Sequence, residues 1–244
     1  MKPSAKQRVD QLMVDRGLAE SRQKAQALVL AGEVTVNGRP VDKPGRAVAL
    51  DADIRVKARP KYVSRGGLKL EAALETFGVD PDGKVCIDVG ASTGGFTDCL
   101  LRHGARRVYA VDTGAGQIHW RLRNDPRVAL RENKNARSLE PADIGEPADL
   151  IVCDASFISV KLLLPRFPAL LKPEGEFIVL IKPQFEVGRG QVGKGGIVRD
   201  AELHRQACAK VREAVEAMGY EAAIAACPVR GAEGNQEFLL HARH

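Results

Sequence analysis

KVCIDVGASTGGFTD, residues 84–98, joins a strand to a helix through a glycine-bearing loop, and its reading decides the fold. Val85 to Val89 carries the apolar run of a strand covered on both faces, and FTDCLLRHG (96–104) reads as the helix behind the loop. The alternation continues outward. LKLEAALETF (68–77) is a helix ahead of the strand. Then come strand RVYAVD (107–112), helix QIHWRLRN (117–124), strand RVAL (127–130) and strand DLIVCD (149–154). Helix KLLLPRFPALL (161–171), strand EFIVLIK (176–182), the long helix DAELHRQACAKVREAVEAMG (200–219) and two closing strands complete the chain. Alternating β and α predicts a Rossmann-like α/β fold: a mostly parallel sheet covered on both faces, ending in an antiparallel hairpin.

Residues 1–59 read as a separate small α+β domain, 60–65 as a linker and 66–244 as the α/β domain. In the first, RVDQLMVDRGL and SRQKAQALVLAG are amphipathic helices, with Ser21 a natural N-cap and Gly32 a stop. EVTVNGRPV is a strand that turns at Asn37-Gly38, and a strand near DIRVKA closes the unit. The whole chain of 244 residues has net charge +6. Residues 1–59 hold twelve Lys and Arg against seven Asp and Glu, a surplus of five, so most of the charge sits in the first quarter. That asymmetry favours a polyanionic partner. Aromatic content of 5% argues against broad base-stacking platforms.

Five cysteines without a C-x-x-C pair read as reduced buried thiols, and the five histidines lack metal-ligand spacing, so no metal is expected. The N-terminus MKPSAKQRVDQLM has no apolar leader, and the greasiest stretch is broken by Pro165, Arg166 and Pro168. These features predict a cytoplasmic protein without a membrane span.

The loop from Asp88 to Asp98 has the chemistry of a nucleotide-cofactor site. Its glycines admit close backbone approach, and the helix start offers free N–H groups. Asp112, at the end of the next strand, is placed to bond a ribose diol. A dinucleotide site wants G-x-G-x-x-G, but the register Gly90, Ser92, Gly95 puts serine where a pyrophosphate must come close. S-adenosylmethionine has no phosphate and tolerates that serine, so it is the favoured cofactor, with Asp88 orienting water or the methionine amino group. The absence of G-x-x-x-x-G-K-[ST] excludes a P-loop.

Four further residues converge on the same edge. Asp154 and Lys182 end two buried strands, Lys69 opens the helix before the first strand, and Glu237 begins the last strand. Ligands in such sheets bind beyond the carboxyl ends of the strands. A Lys-Asp-Lys-Glu set there suits methyl transfer to a ribose hydroxyl. A base works best with a pKa near ambient pH, and burial or a neighbouring cation pushes an amine in that direction. Lys182 is the candidate base, with Lys69, Asp154 and Glu237 orienting and tuning it. The loop FEVGRGQVGKGG, with Arg189 and Lys194, reads either as a lid or as a mobile loop, and Phe185 beside it either stacks on a base or packs.

VDQLMVDRGLAESRQKAQALVLAGEVTVNGRPV resembles the small RNA-binding domain of the ribosomal protein S-four type. By that resemblance Arg8, Arg16, Arg22, Lys24 and Arg39 are expected phosphate contacts, with Arg65 of the linker and Arg189 of the glycine-rich loop added on the second half. The second half resembles the FtsJ-type ribose 2′-O-methyltransferases. With VSRGGLKL, DVGASTGGFTD, CDASFIS, LIKPQFE, GKGGIVRD and GNQEFLL, the whole chain is similar to the TlyA family of ribosomal RNA methyltransferases and haemolysins. The resemblance implies Lys69, Asp154, Lys182 and Glu237 as catalytic. It implies Asp88, Gly90, Ser92, Thr93, Gly94, Phe96, Asp112, Thr113 and Asp154 around S-adenosylmethionine, and ribosomal RNA or ribosomal subunits as partners. Two alternatives stay open: a haemolysin-like membrane-damaging protein, and a non-catalytic RNA-binding assembly factor.

Overall fold

The structure, a computed structural model, describes residues 5–57, 60–231 and 233–244; the Arg189 side chain, one of the expected RNA contacts, lies outside what is described. The chain separates into two compact units, residues 1–59 and 60–244.

The first unit comprises β1 (Lys6–Arg8), α1 (Val9–Asp15), α2 (Arg22–Leu30), β2 (Val34–Val36), β3 (Arg39–Pro40), β4 (Ala47–Ala49) and β5 (Ile54–Val56). Ser21 caps α2 by accepting the Lys24 N–H at 3.2 Å. Asn37 and Gly38 both take left-handed backbone, φ 50° and 74°, in the turn between β2 and β3. Val9, Met13, Val29 and Val34 form the centre of its core. The sequence gives no hint of β1 and β4, which pair antiparallel. Unlike β2, which an Asn-Gly turn marks, these three-residue strands have no apolar alternation of their own, and β1 (KQR) is polar throughout.

The second unit opens with α3 (Gly66–Phe77), β6 (Val85–Val89), α4 (Gly95–Arg102), β7 (Arg107–Val111), α5 (Trp120–Arg123) and β8 (Val128–Arg131). It continues with α6 (Pro141–Ile144), β9 (Ala148–Cys153), α7 (Phe167–Leu170), β10 (Leu171–Ile181) and α8 (Pro183–Glu186). It ends with α9 (Ala201–Glu216), β11 (Glu221–Ala226) and β12 (Phe238–Arg243). The seven strands lie in the order β11-β12-β10-β9-β6-β7-β8. From β8 to β10 neighbours pair parallel; β12 is antiparallel to both β10 and β11. Alternate residues of the central strands feed opposite faces: Ile87, Ile151, Phe177 and Val179 pack on one side, Cys86, Leu150, Val152 and Ile178 on the other. With both faces covered, each such side chain contributes roughly 1.5–3 kcal/mol of burial.

Two expected helices come out differently. Residues 161–171 are not one helix. They form 3-10 turns at Val160–Leu162 and Leu164–Arg166, then α7, because Pro165 and Pro168 remove donors and clash with preceding carbonyls. Residues 117–124 retain only the turn of α5. Among the described residues no helix is long and apolar enough to cross a membrane.

After β8 the chain crosses to the other side of β6 and enters β9, so the carboxyl ends of β6 and β9 flank a topological switch point, where a crevice opens.

Candidate active site

The four lysines and acids singled out in the sequence arrive at this crevice as two ion pairs. Lys69, on the first turn of α3, puts Nζ 2.6 Å from Glu237 Oε2, across 168 residues of sequence. Lys182, directly after β10, has Nζ 2.6 Å from Asp154 Oδ1 and donates to Ser156 Oγ at 2.7 Å. The Lys182–Asp154 contact is an ion pair whose angles fall outside hydrogen-bond geometry, leaving Asp154 Oδ1 without an aligned donor. Lys69, Lys182 and Glu237 are all buried, and their placement follows from register. Ile181 of β10 faces Phe238 of β12, so Lys182 and Glu237 leave adjacent strands side by side.

Local packing fixes each carrier. Tyr62 is buried and donates from its hydroxyl to Glu71 at 2.8 Å, while Asp98 of α4 accepts the Val63 N–H at 2.9 Å. A Cβ on Gly67 would lie 2.2 Å from the Tyr62 ring, so only glycine lets the first turn of α3 sit there. Glu186 accepts from Ser159 Oγ at 2.6 Å and from the Val160 N–H at 2.8 Å, tying the helix after Lys182 to the loop after Asp154.

The glycine loop lies against this set. Gly90 has φ 84°, and a Cβ there would come within 2.9 Å of the Asp154 carbonyl oxygen. Gly94 has φ 94°; a Cβ would strike Leu122 and Ile118. Two cavities meet at this point. One of about 230 Å³ is lined by Ser64, Arg65, Gly66, Lys69, Thr93 and Phe96, the other, of about 270 Å³, by Asp112, Thr113, Gln117, Asn135 and Ile158; Gly90, Ser92 and Asp154 border both. Asp112 accepts the Ser92 N–H through one oxygen and the Gly114 N–H through the other, both at 2.7 Å, so each oxygen keeps one lone pair for a ligand hydroxyl. Asp88 is fully buried below the loop. Its Oδ2 accepts from Thr97 Oγ1 at 2.6 Å, its Oδ1 has no partner, and burial pushes its carboxyl up to about 7, with the negative charge of Asp154 adding to the effect. An elongated ligand with a diol-bearing nucleoside at one end and a cationic, carboxylate-bearing tail at the other fits these features.

Gly90, Ser92, Thr93, Phe96, Asp112, Thr113 and Asp154 line the cavities, whereas Gly94 and Asp88 shape the loop from beneath. Sequence reasoning missed Ser64, Gln117 and Asn135, which belong to no recognisable spacing. Arg65, expected on RNA, is exposed and lines the smaller cavity. A third cavity, of about 450 Å³, is lined by Lys182, Glu237, Phe157 and Phe185. Phe157 also borders the Asp112 cavity, is 93% exposed, and takes φ 65°, a conformation seldom adopted by an aromatic residue.

In the small unit the expected phosphate contacts divide. Asp10, fully buried, receives Arg8 at 2.8 Å, Arg22 at 3.1 Å and Gln26 at 2.9 Å. The Arg8 bond holds its carboxyl well below the usual carboxylate range. Arg16 donates to the carbonyls of Ala52, at 2.6 Å, and Leu50, and so braces the fold. Lys24 and Arg39 are exposed.

Residues 62–244 match the FtsJ-like methyltransferase family and residues 7–54 the S4 domain. The 16S/23S rRNA (cytidine-2′-O)-methyltransferase TlyA of Mycobacterium tuberculosis is 46% identical, over 97% of this chain and 89% of its own length. The chain belongs to the TlyA family. A second relative, Hemolysin A of Brachyspira hyodysenteriae, is 43% identical over 96% of this chain and 98% of its own. A solved chain from Streptococcus thermophilus matches with TM-score 0.74 and 43% identity, covering 98% of this chain and 88% of that one. TlyA membership agrees with the architecture above, an S4 domain ahead of a methyltransferase sheet.

Proposed function

We propose that this TlyA-family chain transfers a methyl group from S-adenosylmethionine to a ribose 2′-hydroxyl of ribosomal RNA. The observation that carries the reading is the two ion pairs, buried Lys69–Glu237 and partly buried Lys182–Asp154, side by side at the edge of the glycine loop. The names of the relatives supply the RNA substrate, and the S4 domain supplies a surface for it.

Asp112 takes the cofactor's ribose, while Ser64, Arg65 and Thr93, which line the smaller cavity, take its amino-acid end. When bound, S-adenosylmethionine supplies an electrophilic methyl on a cationic sulfur. In its neutral amine form Lys182 would accept the proton of the 2′-hydroxyl as that oxygen takes the methyl group. Asp154 and Ser156 hold Lys182 Nζ in line, and Glu237 holds Lys69 beside the sugar. Positioning of this kind is worth several kcal/mol of barrier. Phe157 and Phe185, with ring centroids 5.6 Å apart, offer an apolar wall to the target base.

Labelled methyl transfer to purified ribosomal subunits tests the reading. Wild type is expected to label one or both subunits, and Lys182→Ala to fall at least 100-fold, on the order expected for a lost general base, with cofactor affinity retained. Wild-type rates in Lys182→Ala under single turnover would remove Lys182 from the role of base.

A further inference from the structure

A separate cleft of about 530 Å³ lies on the far side of the loop Glu233–Gln236 from the Lys182 pocket. Arg199, His204 and Arg230 line it, and Glu233 borders both cavities. Arg199 and Arg230 are exposed, and neither has a carboxylate partner among the described residues; what sets them apart from the unit's other unpaired arginines is that both line this one cleft.

The cleft is built rather than incidental. Asn235, 1% exposed, accepts the Val198 N–H at 3.0 Å and donates to the Gly196 carbonyl at 2.9 Å, fixing the backbone next to Arg199. His204 Nε2 lies 2.9 Å from the Val198 carbonyl oxygen and holds the same segment from α9. Arg230 donates to the Gly234 carbonyl at 3.3 Å, and the N–H of the next residue, Gly231, donates to the Asn235 carbonyl at 3.0 Å. A Cβ on Gly231 would lie 2.5 Å from Glu237 Oε1. The loop that carries Glu237 therefore also frames the two guanidiniums. Arg230 is tied to the loop by its bond to Gly234, Arg199 extends from the segment held by Asn235, and the planar guanidinium fork of each matches phosphate oxygens.

We propose that the Arg199–Arg230 cleft binds a backbone phosphate of the RNA strand continuing from the methylated nucleotide; this rests on the RNA 2′-O-methyltransferase reading above. The loop Glu233–Gln236 then separates the reacting ribose from that phosphate. Glu233 sets the strength of binding, because its carboxylate opposes the anion.

The test is steady-state methyl transfer to purified ribosomal subunits at salt from about 50 to 200 mM, comparing wild type with Arg199→Ala/Arg230→Ala, Arg199→Lys/Arg230→Lys and Glu233→Gln. The double alanine variant is expected to raise KM for RNA about tenfold and to flatten the dependence of log KM on log salt by about 1 to 2. Its kcat and its calorimetric affinity for S-adenosylmethionine stay as in wild type. The lysine variant recovers part of the loss, since a point charge still attracts phosphate. Glu233→Gln shifts KM the opposite way. Unchanged KM and salt slope in the alanine variant, beside an active wild type, overturn the cleft. A fall in kcat alone also overturns it, marking disturbance of Glu237 instead. A wild type that methylates no RNA overturns the activity reading, and this proposal with it.

Discussion

Asp88 shows how one buried carboxylate ties the loop to pH. Its pKa of about 7 lies well above the value of roughly 3.9 for an unfolded aspartate, chiefly because burial disfavours the charged form. The folded chain therefore holds a proton that the unfolded chain releases. The stability this contributes is full below about pH 4 and is lost as pH rises through about 7. Thermal unfolding is expected to show a Tm that falls between about pH 4 and 7 in wild type, and less so in Asp88→Asn. Gly90 is the second telling residue. Alanine there meets both the Asp154 carbonyl at 2.9 Å and a left-handed φ, so Gly90→Ala is expected to cost about 1–3 kcal/mol in urea unfolding and to weaken S-adenosylmethionine binding in calorimetry. The sequence names Gly90 as a loop glycine; that its hydrogen faces Asp154 follows only from two strands meeting. The same holds for the ion pairs. Apolar runs put Asp154 and Lys182 at strand ends, but which lysine meets which acid depends on β12 inserting beside β10.

At the scale of elements, the strand ends carrying Asp154 and Lys182 are held together by Glu186, the last residue of α8. Removing its carboxylate leaves the buried Val160 N–H without a partner, a cost of about 1–3 kcal/mol. Glu186→Ala is expected to lower the unfolding free energy measured in urea by that amount and to reduce kcat more than it raises KM for the cofactor, since the loop after Asp154 loosens. Equal stability in the two proteins would show that Ser159 and Val160 find other partners. Helix prediction failed where prolines interrupt an apolar run, at 161–171, because the hydrophobic pattern persists through Pro165 and Pro168 while the backbone hydrogen bonds do not. The long α9, capped by Asp200 and free of interior proline, was legible throughout.

At the scale of the whole molecule, the charge surplus of residues 1–59 is partly consumed within its own unit, since Arg8 and Arg22 converge on Asp10 and Arg16 braces two carbonyls. All five expected contacts remain exposed, and Lys24 and Arg39 are those that neither join Asp10 nor brace the backbone. Lys24→Glu/Arg39→Glu is expected to weaken binding to ribosomal RNA about tenfold or more in filter binding, with a shallower salt dependence, while S-adenosylmethionine affinity is unchanged. Unchanged RNA affinity would move the contact surface elsewhere on the unit. By itself the sequence determined the two-unit organisation, the alternation of strands and helices in the second unit apart from 161–171, the glycine loop and the placing of Lys69, Asp154, Lys182 and Glu237 at one edge of the sheet, because apolar periodicity and turn chemistry are local properties of the chain. Only the tertiary structure decided the pairing of Lys69 with Glu237, the turn of Arg65 toward the smaller cavity, the burial of Asp10 and the cleft beside the Glu233–Gln236 loop. Those depend on strand order and side-chain packing between segments far apart in the chain, and no local pattern records them.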